Sequence, residues 1–449
     1  MTASTLDHPH YALEHPRYDF LAASVETPPR TRLASLVVGT SAFAAAAVVW
    51  LVQLIVVDVA ARGHGSTLRA ALTQWDAKWM TLIADHGYAG FTYTADPAEP
   101  TILRSVAFFP GYPTVVRVVD APLTIFGVDD ATLIAAVVTS AAASLALAWG
   151  AAALALEIWT RATGREAGLA ASIAVSVVAS VVVFGAPMGI VYQMPYSESL
   201  FTALAVWALV AMIRSRFGVA GVLVLAAGLT RLTGAALVVT LAIAAAVELI
   251  DYWRRRGTFA ATTFPWAAVT APIVGALGIG SYLLWASAQT RSAGGYFAIQ
   301  DRGWGSGWDW GRSTVGWIGD HVVGGFADAT AAGYTISAWS MIVAAALCAA
   351  GLWPVVRGRL PWQPWLFSVG VAVIVLGSGG IMHSRPRLLL IPVSLLMLSF
   401  AVLAISAAAR ATCRKRWAGG VAVIGSLVAW CVLGVWVSTF MLIDFDYGI

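Results

Sequence analysis

The chain has 449 residues, of which 59% are hydrophobic and only 11% charged, with a formal net charge of +4. A soluble domain carries roughly 25% charged residues, so too little polar side chain is present to cover a water-soluble globule of this length, and much of the chain must face lipid. The positive excess sits in short arginine clusters between apolar runs, which excludes an extended nucleic-acid-binding stripe.

Residues 1–32 are polar, with His, Pro and acidic side chains, and read as a disordered cytoplasmic tail without a cleavable signal peptide. Apolar runs of spanning length then follow near 33–59, 131–158, 168–190, 199–213, 218–250, 264–287, 335–353, 365–382, 388–409 and 418–441. The run at 218–250 is interrupted by Gly228-Leu229-Thr230-Arg231-Leu232-Thr233-Gly234, which predicts the apex of a hairpin with two short arms. The expectation is an all-α polytopic membrane protein with about 11 transmembrane helices, its residues 33–449 forming one membrane domain. Segment 106–126, with Arg117 and Asp120, reads as an interfacial helix, although a span there would change the count.

Positive charge clusters at Arg30/Arg32, Arg161/Arg165, Arg214/Arg216, Arg254-Arg255-Arg256, Arg357/Arg359 and Arg410/Arg414/Lys415/Arg416. Short loops of this kind belong on the cytoplasmic side, which predicts an N-terminus inside and a C-terminus outside. Two long external loops result, at 60–130 and 288–334. The first is predicted to carry short amphipathic helices; the second is rich in Trp. Abundant Ala, Val, Gly and Arg associates the chain with a bacterium, hence a bacterial plasma membrane. Cys348 and Cys431 lie in apolar runs and Cys413 in a basic loop; no CxxC or His/Cys cluster has zinc-site spacing.

The external segments hold the chemistry. In the first loop Trp75, Trp79, Leu82 and Ile83 recur at helical spacing, with Asp76 at the helix start and Lys78 and His86 nearby. Asp76 there is either a helix cap or a general base at the membrane surface. Phe108-Phe109-Pro110-Gly111-Tyr112-Pro113 is an aromatic turn, either an interfacial belt or a wall for a lipid or sugar. Tyr196-Ser197-Glu198 places an acid at the mouth of a membrane helix, as a dipole partner or a sugar ligand. Arg231 either snorkels or holds a phosphate. His383-Ser384-Arg385-Pro386-Arg387 puts two arginines in a short external turn, which suits an anionic lipid phosphate as well as headgroup contact.

Trp75-Asp76, His86-Gly87-Tyr88, Phe108-Phe109-Pro110, Tyr112-Pro113, Tyr196-Ser197-Glu198-Ser199-Leu200-Phe201 and Thr230-Arg231 with Thr233-Gly234, in that order over about residues 70–235, resemble the PIG-V family of mannosyltransferases. That family belongs to the GT-C superfamily of polytopic glycosyltransferases. The loop Gln300-Asp301-Arg302-Gly303-Trp304-Gly305 and the turn at 383–387 look like its bacterial branch.

The resemblance implies a GT-C-like helical bundle, Asp76 in the catalytic position, and an extracytoplasmic polyprenyl-phosphate-mannose donor with a glycolipid or glycan acceptor. Trp75, Lys78, His86, Tyr112, Tyr196, Glu198, Arg231, Trp304, His383, Arg385 and Arg387 are the expected substrate-binding residues, within a setting of membrane lipids and no nucleic acid. No cofactor is expected. Asp76 is followed by Ala77 and Lys78 rather than by a second acid, which puts a paired-acid metal site in doubt without removing a divalent ion from consideration. A transporter or flippase for a lipid-linked sugar is the alternative; it calls for polar groups deep in several spans.

Overall fold

In lipid a backbone must satisfy its own polar groups, and long runs of Ala, Val and Leu do so as helices. The computed structural model describes residues 32–88, 105–255, 263–410, 413–445 and 447–448, and no strand occurs among them. The polar tail expected over 1–32 therefore lies outside the described residues, apart from Arg32. The helices in chain order are α1 (Arg32–Gly63), α2 (Leu68–Leu72), α3 (Asp76–His86), α4 (Gly111–Ile125), α5 (Ala131–Thr163), α6 (Leu169–Phe184), α7 (Ser197–Ile213), α8 (Phe217–Gly228) and α9 (Gly234–Arg255). They continue with α10 (Trp266–Gln289), α11 (Tyr296–Trp304), α12 (Arg312–His321), α13 (Ala329–Val356), α14 (Trp362–Leu376), α15 (Arg385–Leu388), α16 (Leu390–Arg410) and α17 (Cys413–Thr439).

Among the described residues seven helices are long and apolar enough to cross a membrane, and α6, α7, α8 and α14 are shorter apolar helices. The chain is a helical integral membrane protein. Segment 106–126 contributes α4, of 15 residues, which is not one of the seven. Its Arg117 turns back onto α3 and donates from Nε to the Ala84 carbonyl at 2.6 Å, capping a helix end.

Two ends of the bundle differ in chemistry. At one end Arg214 pairs with Glu157 at 2.6 Å, and Arg410 donates to the Ala162 carbonyl at 3.1 Å. The two arginines come from two of the basic clusters. The other end gathers α3, the entry to α7, the α8–α9 turn and α15.

Small residues decide how closely α8 and α10 approach. A Cβ placed on Gly278 would lie 2.1 Å from the Leu225 carbonyl oxygen, and one on Gly228 would lie 2.8 Å from the Ile279 nitrogen. Only hydrogen fits at these crossings, the usual route to close helix packing in lipid. The contact holds the C-terminus of α8 in place and with it the turn that carries Arg231.

Between α6 and α7 the chain leaves the α-helical path and runs as a buried segment with one short 3-10 helix, Gly189–Gln193. Such backbone is tolerated at depth only when its groups are bonded. Gln53 Nε2 donates to the Phe184 carbonyl at 3.0 Å, Ser144 Oγ to Tyr192 at 2.9 Å, and Ser140 Oγ to Met194 at 2.7 Å. Side chains from α1 and α5 thus set the position at which α7 begins, one residue before Glu198.

Gly278→Val forces a backbone displacement at α8, and overpacking of this kind costs about 1–3 kcal/mol or more. Gly280, on the same helix, has open space around it. Thermal unfolding in detergent should therefore fall clearly for Gly278→Val and stay at or above the wild-type value for Gly280→Ala.

Candidate functional site

The site begins with α3. Trp75 precedes it at φ 48, on the left-handed side that non-glycine residues rarely adopt, and Asp76 is its first helical residue. The buried face of α3 is Ala77, Met80, Ile83 and Ala84, against α4 and α5. This corrects the predicted aromatic face: Trp75, Trp79 and Leu82 are only half-buried, because small side chains are what let α3 lie close to its neighbours. Asp76 sits at the rim of that packing, its side chain 23% exposed.

Asp76 meets residues from three distant segments. Arg387 Nη2 lies 2.8 Å from Asp76 Oδ2, and Arg387 Nε lies 3.4 Å from Glu198 Oε1. Glu198 Oε2 in turn pairs with Arg231 Nη1 at 2.8 Å. Arg231 Nη1 also donates to Ser197 Oγ at 2.9 Å. The result is an alternating line of carboxylate, guanidinium, carboxylate and guanidinium, with Glu198 and Arg387 almost wholly buried. Tyr196 supports it from beside: its ring faces the Arg387 guanidinium at 5.2 Å and its hydroxyl donates to the Gln74 carbonyl at 3.0 Å.

Burial alone pushes the Arg387 guanidinium down, but Asp76 and Glu198 outweigh it and hold its pKa above the ordinary arginine value. Arg387 is therefore a cation in a nearly dry site, and its charge is stabilised there chiefly by the two acids. Arg387 Nη1 and Glu198 Oε1 are buried and have no hydrogen-bond partner among the described residues.

An aromatic wall begins one helical turn beyond Asp76, at Trp79. Trp79 stacks on Phe108 with centroids 5.6 Å apart, and Trp304 meets Phe108 edge-on at 5.6 Å. The Phe-Phe-Pro turn is held by its carbonyls. Tyr88 Oη donates to Phe108 at 2.6 Å, Tyr282 Oη reaches Val106 and Phe108 at 2.7 and 2.6 Å, and Gln300 Nε2 donates to Ala107 at 3.0 Å. The Gly111 N–H donates to the Leu229 carbonyl at 2.7 Å, and a Cβ on Gly111 would lie 2.7 Å from Thr230 Oγ1. The glycine in Pro-Gly-Tyr-Pro thus lets the first loop touch the turn bearing Arg231.

The other expected residues are placed differently. Arg385 is buried but points away from the acids: its guanidinium donates to the carbonyls of Val375, Ser378 and Gly379, with 2.6 Å to Ser378 and 2.8 Å to Gly379. It caps the C-terminus of α14, and burial pushes it down to about 10 although Asp309 opposes the shift. Tyr112 is also spoken for; its hydroxyl donates to the Ala136 carbonyl at 2.8 Å and lies 2.7 Å from Ser140 Oγ. His383 lies in an aromatic cluster with Tyr334, Phe445 and Tyr447, where burial lowers its pKa. Trp75 packs beside Gly448. Lys78 and His86 are exposed on α3, His86 beside Asp85.

Sequence reasoning missed Ser197 as the acceptor for Arg231, and missed Tyr282 altogether. The Ser140/Ser144 pair, one helical turn apart in an apolar run, was a signal that polar backbone would lie opposite. Among the described residues no group of three or more His, Cys, Asp or Glu is placed to hold a metal ion; the two acids share Arg387 instead. Comparison with family models and with curated proteins gives no match, so the chemistry rests on this geometry.

Because Arg385 serves α14, Arg385→Met leaves several carbonyls without a charged donor, and hydrogen bonds of this type contribute about 1.5–3 kcal/mol each. Its thermal midpoint should drop well below wild type. The same midpoint should change little for Lys78→Met, whose side chain is exposed.

Proposed function

We propose that the protein is a glycosyltransferase that moves mannose, with inversion, from a polyprenyl-phosphate-mannose donor to a glycolipid or glycan acceptor. One observation carries the reading. Asp76, Glu198, Arg231 and Arg387, four residues singled out by their motifs, form one continuous line of ion contacts, and an aromatic wall begins at Trp79, one helical turn beyond Asp76. In this reading all eleven apolar helices cross the membrane. The N-terminus is cytoplasmic and the line of charges lies on the outer side, where a lipid-linked donor presents its head.

In the reaction Asp76, the more exposed of the two acids, takes the proton of an acceptor hydroxyl. The acceptor oxygen forms its bond to the anomeric carbon of mannose as the bond from that carbon to the phosphate oxygen breaks. The bonding pair leaves with the lipid phosphate, and Arg231 and Arg387 stabilise the charge that develops on it. Fixed cations in a site shielded from water are often the largest contribution to such a step. Trp79, Phe108 and Trp304 supply flat apolar faces suited to the sugar or to the first isoprenoid unit.

Alternating guanidiniums suit a phosphate better than a neutral solute, because the planar fork matches two phosphate oxygens. A transporter would place its polar groups near mid-bilayer. Here the interior pair Gln53 and Gln193 bond to each other at 2.7 Å and to the Phe184 carbonyl, which makes them structural.

Labelled polyprenyl-phosphate mannose supplied to membranes with and without the protein should yield a labelled glycolipid or glycan only where the protein is present. Asp76→Asn should lower the rate by roughly 100-fold or more at unchanged membrane abundance. Full activity of that variant rejects Asp76 as the base, and the absence of any mannosylated product rejects the reading itself.

A further inference from the structure

Arg387 is the one group in the line that touches both acids. Its three nitrogens are used unequally. Nη2 is bound to Asp76 at 2.8 Å, Nε faces Glu198 at 3.4 Å, and Nη1 is buried with no acceptor among the described residues. The side chain is 9% exposed, so that free N–H is held inside the site rather than solvated outside it. A guanidinium binds an oxyanion best through a pair of adjacent N–H groups. The pair facing away from Glu198 is Nη1 with Nη2, and half of it is occupied by Asp76.

The charges of the line cancel: two carboxylates against two guanidiniums. Glu198 is anchored on both sides, by Arg231 at 2.8 Å and by Arg387. Asp76, at the rim and 23% exposed, is held within the line by Arg387 alone. The contact between Asp76 and Arg387 is therefore the one that can open without disturbing the rest.

We infer that Arg387 is an exchangeable cation, for which a phosphate ester and the Asp76 carboxylate compete, so that seating the phosphate on Nη1 and Nη2 draws Arg387 off Asp76. This rests on the functional reading above and adds a control to it. The acid that must accept a proton is engaged by an arginine until an anionic donor occupies that arginine. Donor binding and release of the base then become one event, and water meets an unpaired Asp76 only when a donor is present to be used.

Coupling between two binding events is reciprocal. If phosphate loosens Asp76 from Arg387, removing the Asp76 charge must tighten phosphate. The test uses the full-length protein purified in detergent and measures equilibrium binding of farnesyl phosphate, with farnesol as the phosphate-free comparison. Asp76→Asn keeps the shape of the side chain and should bind farnesyl phosphate about tenfold more tightly than wild type. Asp85→Asn removes an exposed acid from the same helix and should leave affinity unchanged. Arg387→Lys keeps the charge but not the fork and should bind more weakly than wild type. Farnesol should bind alike to all of them.

Equal or weaker binding of farnesyl phosphate by Asp76→Asn overturns the exchange. An equal gain in Asp85→Asn overturns it too, since the effect would then be general electrostatics. Mannosyl transfer by wild-type membranes without any gain in Asp76→Asn removes the exchange and leaves the transferase. A gain without any transfer keeps the exchange and removes the transferase.

Discussion

The site depends on the contact of the Arg387 guanidinium with two carboxylates in a region where little water reaches. A buried arginine without partners carries a desolvation cost of several kcal/mol, and so does a buried Glu198. Each is acceptable because oppositely charged partners are there, Asp76 and Glu198 for Arg387 and the two arginines for Glu198. The requirement is geometric as well as electrostatic. The first loop, the start of α7, the α8–α9 turn and α15 must all arrive at one point, or charges are left stranded. Much of the surrounding fold serves that arrival.

Three devices bring the segments together. Hydrogen-only crossings between α8 and α10 set the end of α8, and Gly111 lets the aromatic turn of the first loop bond directly to the Leu229 carbonyl. Serines on α5 hold the carbonyls of the buried segment before α7, so the position of Glu198 is fixed by its backbone rather than by its own side chain. Arg385 ties the end of α14 to the start of α15, and thereby sets the direction from which Arg387 enters. None of these contacts involves reacting groups, yet each moves a charged one if it fails.

The helical class and the approximate extent of each apolar run were legible in composition, because lipid leaves a spanning chain few choices. The ends of those runs were less so. The run read as 365–382 stops as a helix at Leu376, since Gly377 turns to accept from the 308–311 loop. Asp76, Glu198 and Arg231 stood out as charges beside apolar runs, and the structure brings them together. Arg385 and Arg387 could not be told apart in an Arg-Pro-Arg turn; which one faces the acids depends on the rotation of a four-residue helix. Tyr112 read as part of an aromatic belt or wall, but its hydroxyl goes to α5. The tyrosine clamp on residues 106–108 left no pattern, because its acceptors are backbone carbonyls that any sequence would supply.

The four charges are also far apart in the order of synthesis. Asp76 and Glu198 emerge early, Arg231 soon after, and Arg387 only near the end of the chain. At a synthesis rate of roughly 5–20 residues per second, the interval between Glu198 and Arg387 is on the order of ten to forty seconds. During that time Glu198 has Arg231 but Asp76 has no guanidinium. The nascent protein therefore passes through a stage with its membrane helices largely laid down and its charges unbalanced. Completion of α15 is what cancels them, so assembly of the site is a late event in biogenesis, and a truncated chain lacking that short helix retains the acids without the cation that joins them.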